Sequence, residues 1–437
     1  MSARKTALTV LLAVRQQGAW GNAVLKEYIA RDALDRRDAA LVTRLVYGVL
    51  QNRNKLDFYL AQLLTGKVKD LHPGVRDILH LGLYQIYELD KIPASAAVNE
   101  SVALAKKYCK EQRFAPGLVN AVLRKADQTR GQLKEPKSYV DRYSHPQKLV
   151  DLLKENVGKE RLEAMLKANN AMPEITVQVN TLKTTAEALT TALAVAGAQV
   201  RPHGWMENCL VLSGTGNLEK LPSFRDGLFY VQDPAAKLSV LCAAVPKGAQ
   251  VLDCCAAPGG KSFAAAMAME NVGSITSCDI HAHKTILIEN GAKRLGIDIL
   301  AARQQDATQF VPEWESTMDV VICDVPCSGY GIIRKKPDIR EKDPDTMLEL
   351  PRLQLQILKN QARYVKPGGT LLYSTCTLLR RENEDVVSAF LSECGDYYLE
   401  KLPLPGNFPG NASGMLTLVP GEYDTDGFFI ARLRRKV

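Results

Sequence analysis

The stretch Asp253-Cys254-Cys255-Ala256-Ala257-Pro258-Gly259-Gly260-Lys261-Ser262 decides how the second half of the chain is built. A short apolar run, Val251-Leu252, precedes it and an alanine-rich helical pattern follows, so the segment reads as strand, glycine turn, helix. Glycines let a backbone approach a ligand closely, and a helix start offers unbonded N–H groups. Two nucleotide-binding readings fail on spacing. A P-loop needs Gly-x-x-x-x-Gly-Lys-[Ser/Thr]; Gly260-Lys261-Ser262 fits its end, but Cys255 stands where the first glycine belongs, which argues against a P-loop nucleotidase. The Gly-x-Gly-x-x-Gly nicotinamide fingerprint is absent. The competing bland reading is a tight turn with a purely structural role.

Outward from this turn the rhythm is strand then helix. Ser274 to Ser277 runs into Asp279, a helix is expected over about 282–295, and Val320-Val321-Ile322 runs into Asp324. A long helix is expected over roughly 345–365, stopped by Pro367-Gly368-Gly369, with Leu371-Leu372-Tyr373 as the next strand. Strands alternating with helices predict a parallel, doubly wound α/β sheet over 231–437, with ligands beyond the carboxyl ends of its strands. Residues 131–230 read as a polar linker with Pro136 and Pro146 as breakers, then a small α+β domain. Its strands are Ile175 to Val179 and Leu210 to Leu212, with a helix from Ala186 to Ala196. Residues 1–130 read as all-helical: Leu41, Leu45 and Val49 recur every four residues, and Val75 to Leu89, Ala97 to Tyr108 and Leu118 to Leu123 supply further helices. Met1 to Val10 is expected to be the first turns of a helix and not a signal peptide.

Net charge is +8 and uneven. Residues 1–130 hold 21 Lys and Arg against 12 Asp and Glu, a balance of +9, so the rest sums to −1. A basic front end on a near-neutral body fits a module that grips a polyanion, against the plainer reading of a solvated basic surface. The 10 cysteines are scattered or adjacent, with no paired Cys-x-x-Cys pattern, which predicts reduced thiols and no structural zinc. The six histidines are dispersed, so no metal site is expected. No apolar run reaches the roughly 18 residues of a membrane span, and a cytoplasmic protein is expected.

Acidic residues follow successive strands: Asp279, Asp306 and Asp324. An acid after the second strand can accept both hydroxyls of a ribose; each of the three could instead be a helix cap or turn residue. Asp324-Val325-Pro326-Cys327-Ser328-Gly329 and Ser374-Thr375-Cys376-Thr377 end neighbouring strands and put two cysteines on one cleft. A thiolate is a strong nucleophile once its pKa is lowered.

With these residues the sequence resembles the RNA 5-methylcytosine methyltransferases of the NOL/NOP/Sun type. The matching stretches are Cys255–Lys261, Asp279, Asp306, Asp324–Gly329, Ser374–Thr377, Asp426-Gly427-Phe428-Phe429 and Gln232-Asp233-Pro234-Ala235, within about 175–437. The front end resembles a NusB-type RNA-binding domain through Arg44-Leu45-Val46-Tyr47-Gly48 and Pro93 to Val98. The sequence departs from the family at Val325, usually alanine, and at Gln178, often arginine, which puts a phosphate contact from that position in doubt.

The resemblance implies S-adenosylmethionine as cofactor and a Rossmann-like catalytic domain. It assigns the methionine and ribose part of the cofactor to Cys255, Ala256, Ala257, Pro258, Gly259, Gly260 and Lys261, the ribose hydroxyls to Asp279 and the adenine side to Asp306, with Asp324 also near the cofactor. Cys376 is implied as the nucleophile that adds to carbon 6 of cytosine, Cys327 as the thiol that assists elimination, and Asp324 as the carboxylate near N3. Lys261 is a candidate for lowering the Cys376 pKa, and Arg334-Lys335-Lys336 for gripping phosphates beside an extruded base. The front end implies small-subunit (16S) ribosomal RNA, free or in an assembling subunit, as partner, and a monomer is expected. A transfer RNA or large-subunit (23S) RNA enzyme, or an inactive ribosome-assembly factor, would carry similar motifs.

Overall fold

The computed structural model describes residues 2–17, 21–410 and 412–437. It divides into two compact units. One comprises Met1–Lys154, Leu166–Met172 and Ile333–Lys342; the other comprises Glu155–Met165, Pro173–Ile332 and Asp343–Val437. A decapeptide that follows the Pro-Cys motif in sequence thus belongs to the helical unit, which strand and helix periodicity does not reveal.

The first unit is helical: Ala3–Gln17, Gly21–Arg31, Arg36–Gln51, Arg53–Leu63, Pro73–Glu88, Ala94–Tyr108 and Ala115–Gln128. Apolar stripes set their packing. Val42, Leu45, Val46 and Val49 are buried on one helix and meet Leu8, Leu11, Ile78, Leu79 and Leu123 in a single core. Asp35 starts that helix by accepting the Asp38 amide at 2.8 Å. Gly48 is glycine for space: a Cβ there would lie 2.0 Å from the Tyr84 ring. The stretch expected to be a linker holds the helices Tyr139–Tyr143 and Gln147–Val157; Ser138 and the residue after Pro146 start them, so the breakers mark helix starts.

Arg340 lies in the decapeptide and is 1% exposed. Its guanidinium donates to the carbonyls of Gln51 and Ser144 at 3.0 and 3.1 Å and to Asn170 Oδ1 at 3.0 Å. Gln51 ends one helix and Asn170 follows another, so the cation meets the negative ends of helices and their unbonded carbonyls.

The second unit holds two sheets. In the smaller, β1 (Ile175–Val179), β2 (Gln199–Pro202), β3 (Cys209–Ser213) and β4 (Phe229–Val231) lie in the antiparallel order β2-β3-β1-β4. Val177, Val179, Leu210, Leu212 and Phe229 pack with Leu189 and Leu193 of the helix Ala186–Val195.

The larger sheet contains β5 (Gln250–Asp253), β6 (Ser274–Asp279), β7 (Leu300–Gln304), β8 (Met318–Asp324), β9 (Val365–Thr375), β10 (Tyr397–Leu399), β11 (Met415–Leu418) and β12 (Phe428–Arg435). Its order is β10-β12-β9-β8-β5-β6-β7, with β11 on β12. Strands β5 to β9 are parallel, as the strand–helix rhythm requires. The expectation of a wholly parallel sheet is corrected by β10, β11 and β12, which pair antiparallel. No helical crossover separates β11 from β12, so a short connection can reverse the chain. The helix expected over 345–365 is also shorter: Pro344–Met347 is a 3-10 turn, Leu350–Ala362 is the helix, and Pro367-Gly368-Gly369 lies inside β9, where its pairing with β8 shifts register. The chain runs β5-β6-β7 to one side and β8-β9 to the other, which puts the topological switch between β5 and β8.

Candidate active site

The site is assembled by register. Asp253 pairs with Ile322, Asp324 with Ser374, and Thr375 with Phe429 of the incoming β12. The carboxyl ends of β5, β8 and β9 and the start of β12 therefore share one edge, and the sequence motifs fall there.

The glycine turn is fixed by its backbone. Cys254 donates to Ile322 O at 3.0 Å, Ala256 to Cys278 O at 2.8 Å and Gly259 to Ala256 O at 2.7 Å. The Ala257–Pro258 peptide is cis. Helix Gly260–Ala268 starts at once, and Gly259 before it has φ +107°. Asp253 is fully buried, its Oδ2 taking Ser262 Oγ at 2.7 Å, and Ser262 in turn receives Ser277 Oγ at 2.8 Å. Burial first, against the Ser262 bond, pushes the Asp253 carboxyl up to about 6. Its Oδ1 is buried without a hydrogen-bond partner among the described residues.

Lys261 reaches across the switch point. Its Nζ lies 2.5 Å from Asp324 Oδ2 and 5.2 Å from the Phe428 ring centroid, while Ser374 Oγ donates to Asp324 Oδ1 at 2.8 Å. The partner of the lysine is thus the Asp324 carboxylate. Beyond Asp324 the two cysteines meet: Cys327 Sγ and Cys376 Sγ are 3.2 Å apart, both half-buried and neither in a disulfide. The Cys376 sulfur, then burial, push the Cys327 thiol well up. None of the 10 cysteines is in a disulfide, and Cys255, beside Cys254, is likewise pushed well up by the neighbouring sulfur and by burial.

Asp279 closes β6, nearly buried, its Oδ1 accepting the His281 amide at 3.0 Å and lying 3.6 Å from Lys284 Nζ. Asp306, half-buried in the loop after β7, takes the Thr308 amide and hydroxyl at 2.9 and 2.8 Å on Oδ1. Both follow their strands as the sequence predicts, and both also act as turn residues.

A ligand placed beyond β5 and β6 would meet the turn at 255–260 and the second oxygen of Asp279. This turn, partly open at Cys255, Ala257, Pro258 and Gly260 and set beside two buried acids, fits a nucleoside carrying a charged amino-acid tail. A separate cavity of about 350 Å³, lined by Met206, Tyr230, Lys237 and Met267 among others, contains none of the predicted site residues. Among the described residues no cluster of three metal-ligating side chains occurs. Gln178 is fully buried and donates to Gln232 O at 3.1 Å, which makes it a tie within the fold.

Sequence reading missed three contributors. They are Ser374, which bonds Asp324, and Gln354 and Glu382, which hold the Pro-Cys loop. Glu382 sits in the polar run Arg380-Arg381-Glu382-Asn383-Glu384, which reads as a solvated surface, yet it is fully buried beside the Pro-Cys loop.

Comparison with known proteins gives three successive matches along the chain. Residues 1–128 match the NusB family, 145–219 the RsmF/B-like ferredoxin-like methyltransferase domain, and 241–434 the 16S rRNA methyltransferase RsmB/F family. The probable ribosomal RNA small subunit methyltransferase B of Bacillus subtilis is 37% identical, covering 100% of this chain and 99% of its own. The ribosomal RNA small subunit methyltransferase B of Pseudomonas putida is 32% identical over 99% of this chain and 98% of its own. The solved structure of PH0851 superposes with a TM-score of 0.81, at 26% identity, over 98% of this chain and 97% of its own.

Proposed function

The chain belongs to the RsmB/F family of 16S rRNA methyltransferases, and from that premise we propose that it methylates carbon 5 of a specific cytidine in 16S ribosomal RNA through a covalent bond between Cys376 and carbon 6 of the base. The family's cofactor is S-adenosylmethionine, which when bound supplies an electrophilic methyl group on a sulfonium sulfur. The 3.2 Å approach of Cys327 and Cys376 sulfurs, at the strand ends beside the glycine turn, carries this reading.

Carbon 5 of cytosine is a poor nucleophile. The Cys376 sulfur forms a bond to carbon 6, the electron pair of the 5,6 double bond moves to carbon 5, and N3 takes a proton. Asp324, as a carboxylate held by Lys261 and Ser374, accepts a hydrogen bond from protonated N3 and stabilises the charge that develops there. With the cofactor bound, carbon 5 would take the methyl as its bond to the sulfonium sulfur breaks, leaving the cofactor as a neutral thioether. The carbon 5 proton leaves to water, the electron pair restores the double bond and expels the Cys376 sulfur, N3 returns its proton to solvent, and Cys327, 3.2 Å from the departing sulfur, assists the elimination. The base must leave its stack to reach the thiols, which costs least in a single-stranded loop. The turn 255–261, Asp279 and Asp306 hold the cofactor, the first by backbone N–H groups and the acids through ribose and adenine.

Bisulfite sequencing of ribosomal and transfer RNA from a strain lacking the gene, with and without complementation, tests the assignment. One 16S cytidine should lose protection and regain it with the native chain but not with Cys376→Ala. Loss at a transfer RNA or 23S site instead would reassign the substrate. Unchanged maps would refute cytosine methylation, and rescue by Cys376→Ala would refute the covalent route.

A further inference from the structure

Glu382 lies in the 3-10 turn Arg380–Glu382 after β9 and is fully buried. Its Oε2 accepts the Ser328 amide at 2.9 Å and Gln354 Nε2 at 2.9 Å, and the same Nε2 donates to Pro326 O at 2.9 Å. Pro326 and Ser328 flank Cys327, so the carboxylate holds one side of that cysteine directly and the other through Gln354. Its Oε1 is buried without a hydrogen-bond partner among the described residues. Cys376 is held differently: its carbonyl accepts the Gly331 amide at 2.9 Å, and Thr377 Oγ1 meets Ser328 Oγ at 2.7 Å.

Two sulfurs 3.2 Å apart resist carrying two negative charges, so one proton stays in the pair. Which sulfur keeps it depends on the fixed charges around each. Two carboxylates act on Cys327, those of Glu382 and Asp324. Asp324 is paired with Lys261 at 2.5 Å; Glu382 has amide donors and, among the described residues, no ion-pair partner, Arg380 pairing with Asp385 and Arg381 donating to Pro344 O. The Tyr373 hydroxyl, a further titratable neighbour, donates to the Glu382 carbonyl at 2.6 Å.

We propose that Glu382 is the positioning residue that gives the two thiols unequal roles: its carboxylate keeps the shared proton on Cys327 and so leaves Cys376 as the sulfur that adds to the base. This rests on the covalent reading above. The same carboxylate adds to the upward push on the Cys327 thiol, after the Cys376 sulfur and burial.

The test is the initial rate of iodoacetamide labelling of each cysteine in the full chain across pH, read by peptide mass spectrometry without RNA. In the native chain Cys376 should label first at pH 8, by about tenfold, because the thiolate and not the thiol is the species alkylated. Glu382→Gln keeps an acceptor for Ser328 and Gln354 but removes the charge; Cys327 labelling should accelerate, its midpoint fall and the gap close. Glu382→Asp, which keeps the charge, should retain the native order. Equal rates in the native chain, an unchanged gap in Glu382→Gln, or a gap lost equally in both variants would each overturn the proposal. Should Glu382→Gln fail to fold, the native midpoints and Glu382→Asp decide. No RNA takes part, so a failure here leaves the covalent adduct to be judged by its own assay.

Discussion

At Gly259, φ is +107° and an added Cβ would lie 2.5 Å from the Phe263 ring. Gly259→Ala should therefore cost about 1–3 kcal/mol of stability and weaken S-adenosylmethionine binding, read by urea unfolding and calorimetry. Asp253, six residues earlier, carries a pH signature. Its carboxyl is raised to about 6 when folded against about 3.9 when unfolded. The native state thus binds the proton more tightly, and this group's contribution is full below about pH 4 and lost as pH rises through about 6, on the order of 3 kcal/mol in all. Asp253→Asn should flatten that part of the stability-versus-pH curve; an unchanged curve would remove Asp253 as its source. Cys327, Cys376, Asp324 and the glycine turn were legible because their chemistry is local and unusual in sequence. Glu382 and Gln354 were not, because a buried polar side chain within a polar run or a helix has the same letters as a solvated one. The partner of Lys261 was equally hidden, since only the parallel pairing of strands brings Asp324 to it.

Elements that obey one period were readable. β1 and the helix Ala282–Leu295 stand where alternation and helical spacing put them. The Pro-Gly-Gly stretch was misread as a helix stop because its punctuation is the same in a strand with shifted register. The segment Ile333–Lys342 shows the limit of local reading more sharply: it lies within the catalytic stretch of the sequence and folds with the helices, where Arg340 serves carbonyls at helix ends. Removing the guanidinium would leave several buried carbonyls unbonded, each worth about 1–3 kcal/mol. Arg340→Met should lower the stability of the helical unit by about 2–4 kcal/mol, seen as an earlier thermal transition. Loss below half a kcal/mol would mean that water replaces those bonds.

Over the whole molecule, charge and chemistry are divided. The +9 balance of residues 1–130 belongs to the part that matches the NusB family, while the thiols and the glycine turn lie in a near-neutral body. Arg334→Ala with Lys335→Ala, in the segment that joins the helical unit, should weaken RNA binding and reduce its salt dependence by about one to two counterions; unchanged affinity and slope would remove that segment from the interface. The three-part architecture was legible from charge and periodicity, whereas the antiparallel extension β10 to β12 depends on long-range pairing that no local pattern announces. The covalent route can be tested directly by incubating the chain with substrate RNA and cofactor and separating the products on a denaturing gel. Cys327→Ala should accumulate a slow-migrating protein–RNA species that is absent from Cys376→Ala and from the double variant. Full turnover by Cys327→Ala with no such species, or the species appearing in Cys376→Ala instead, would contradict the assignment of Cys376 as the nucleophile.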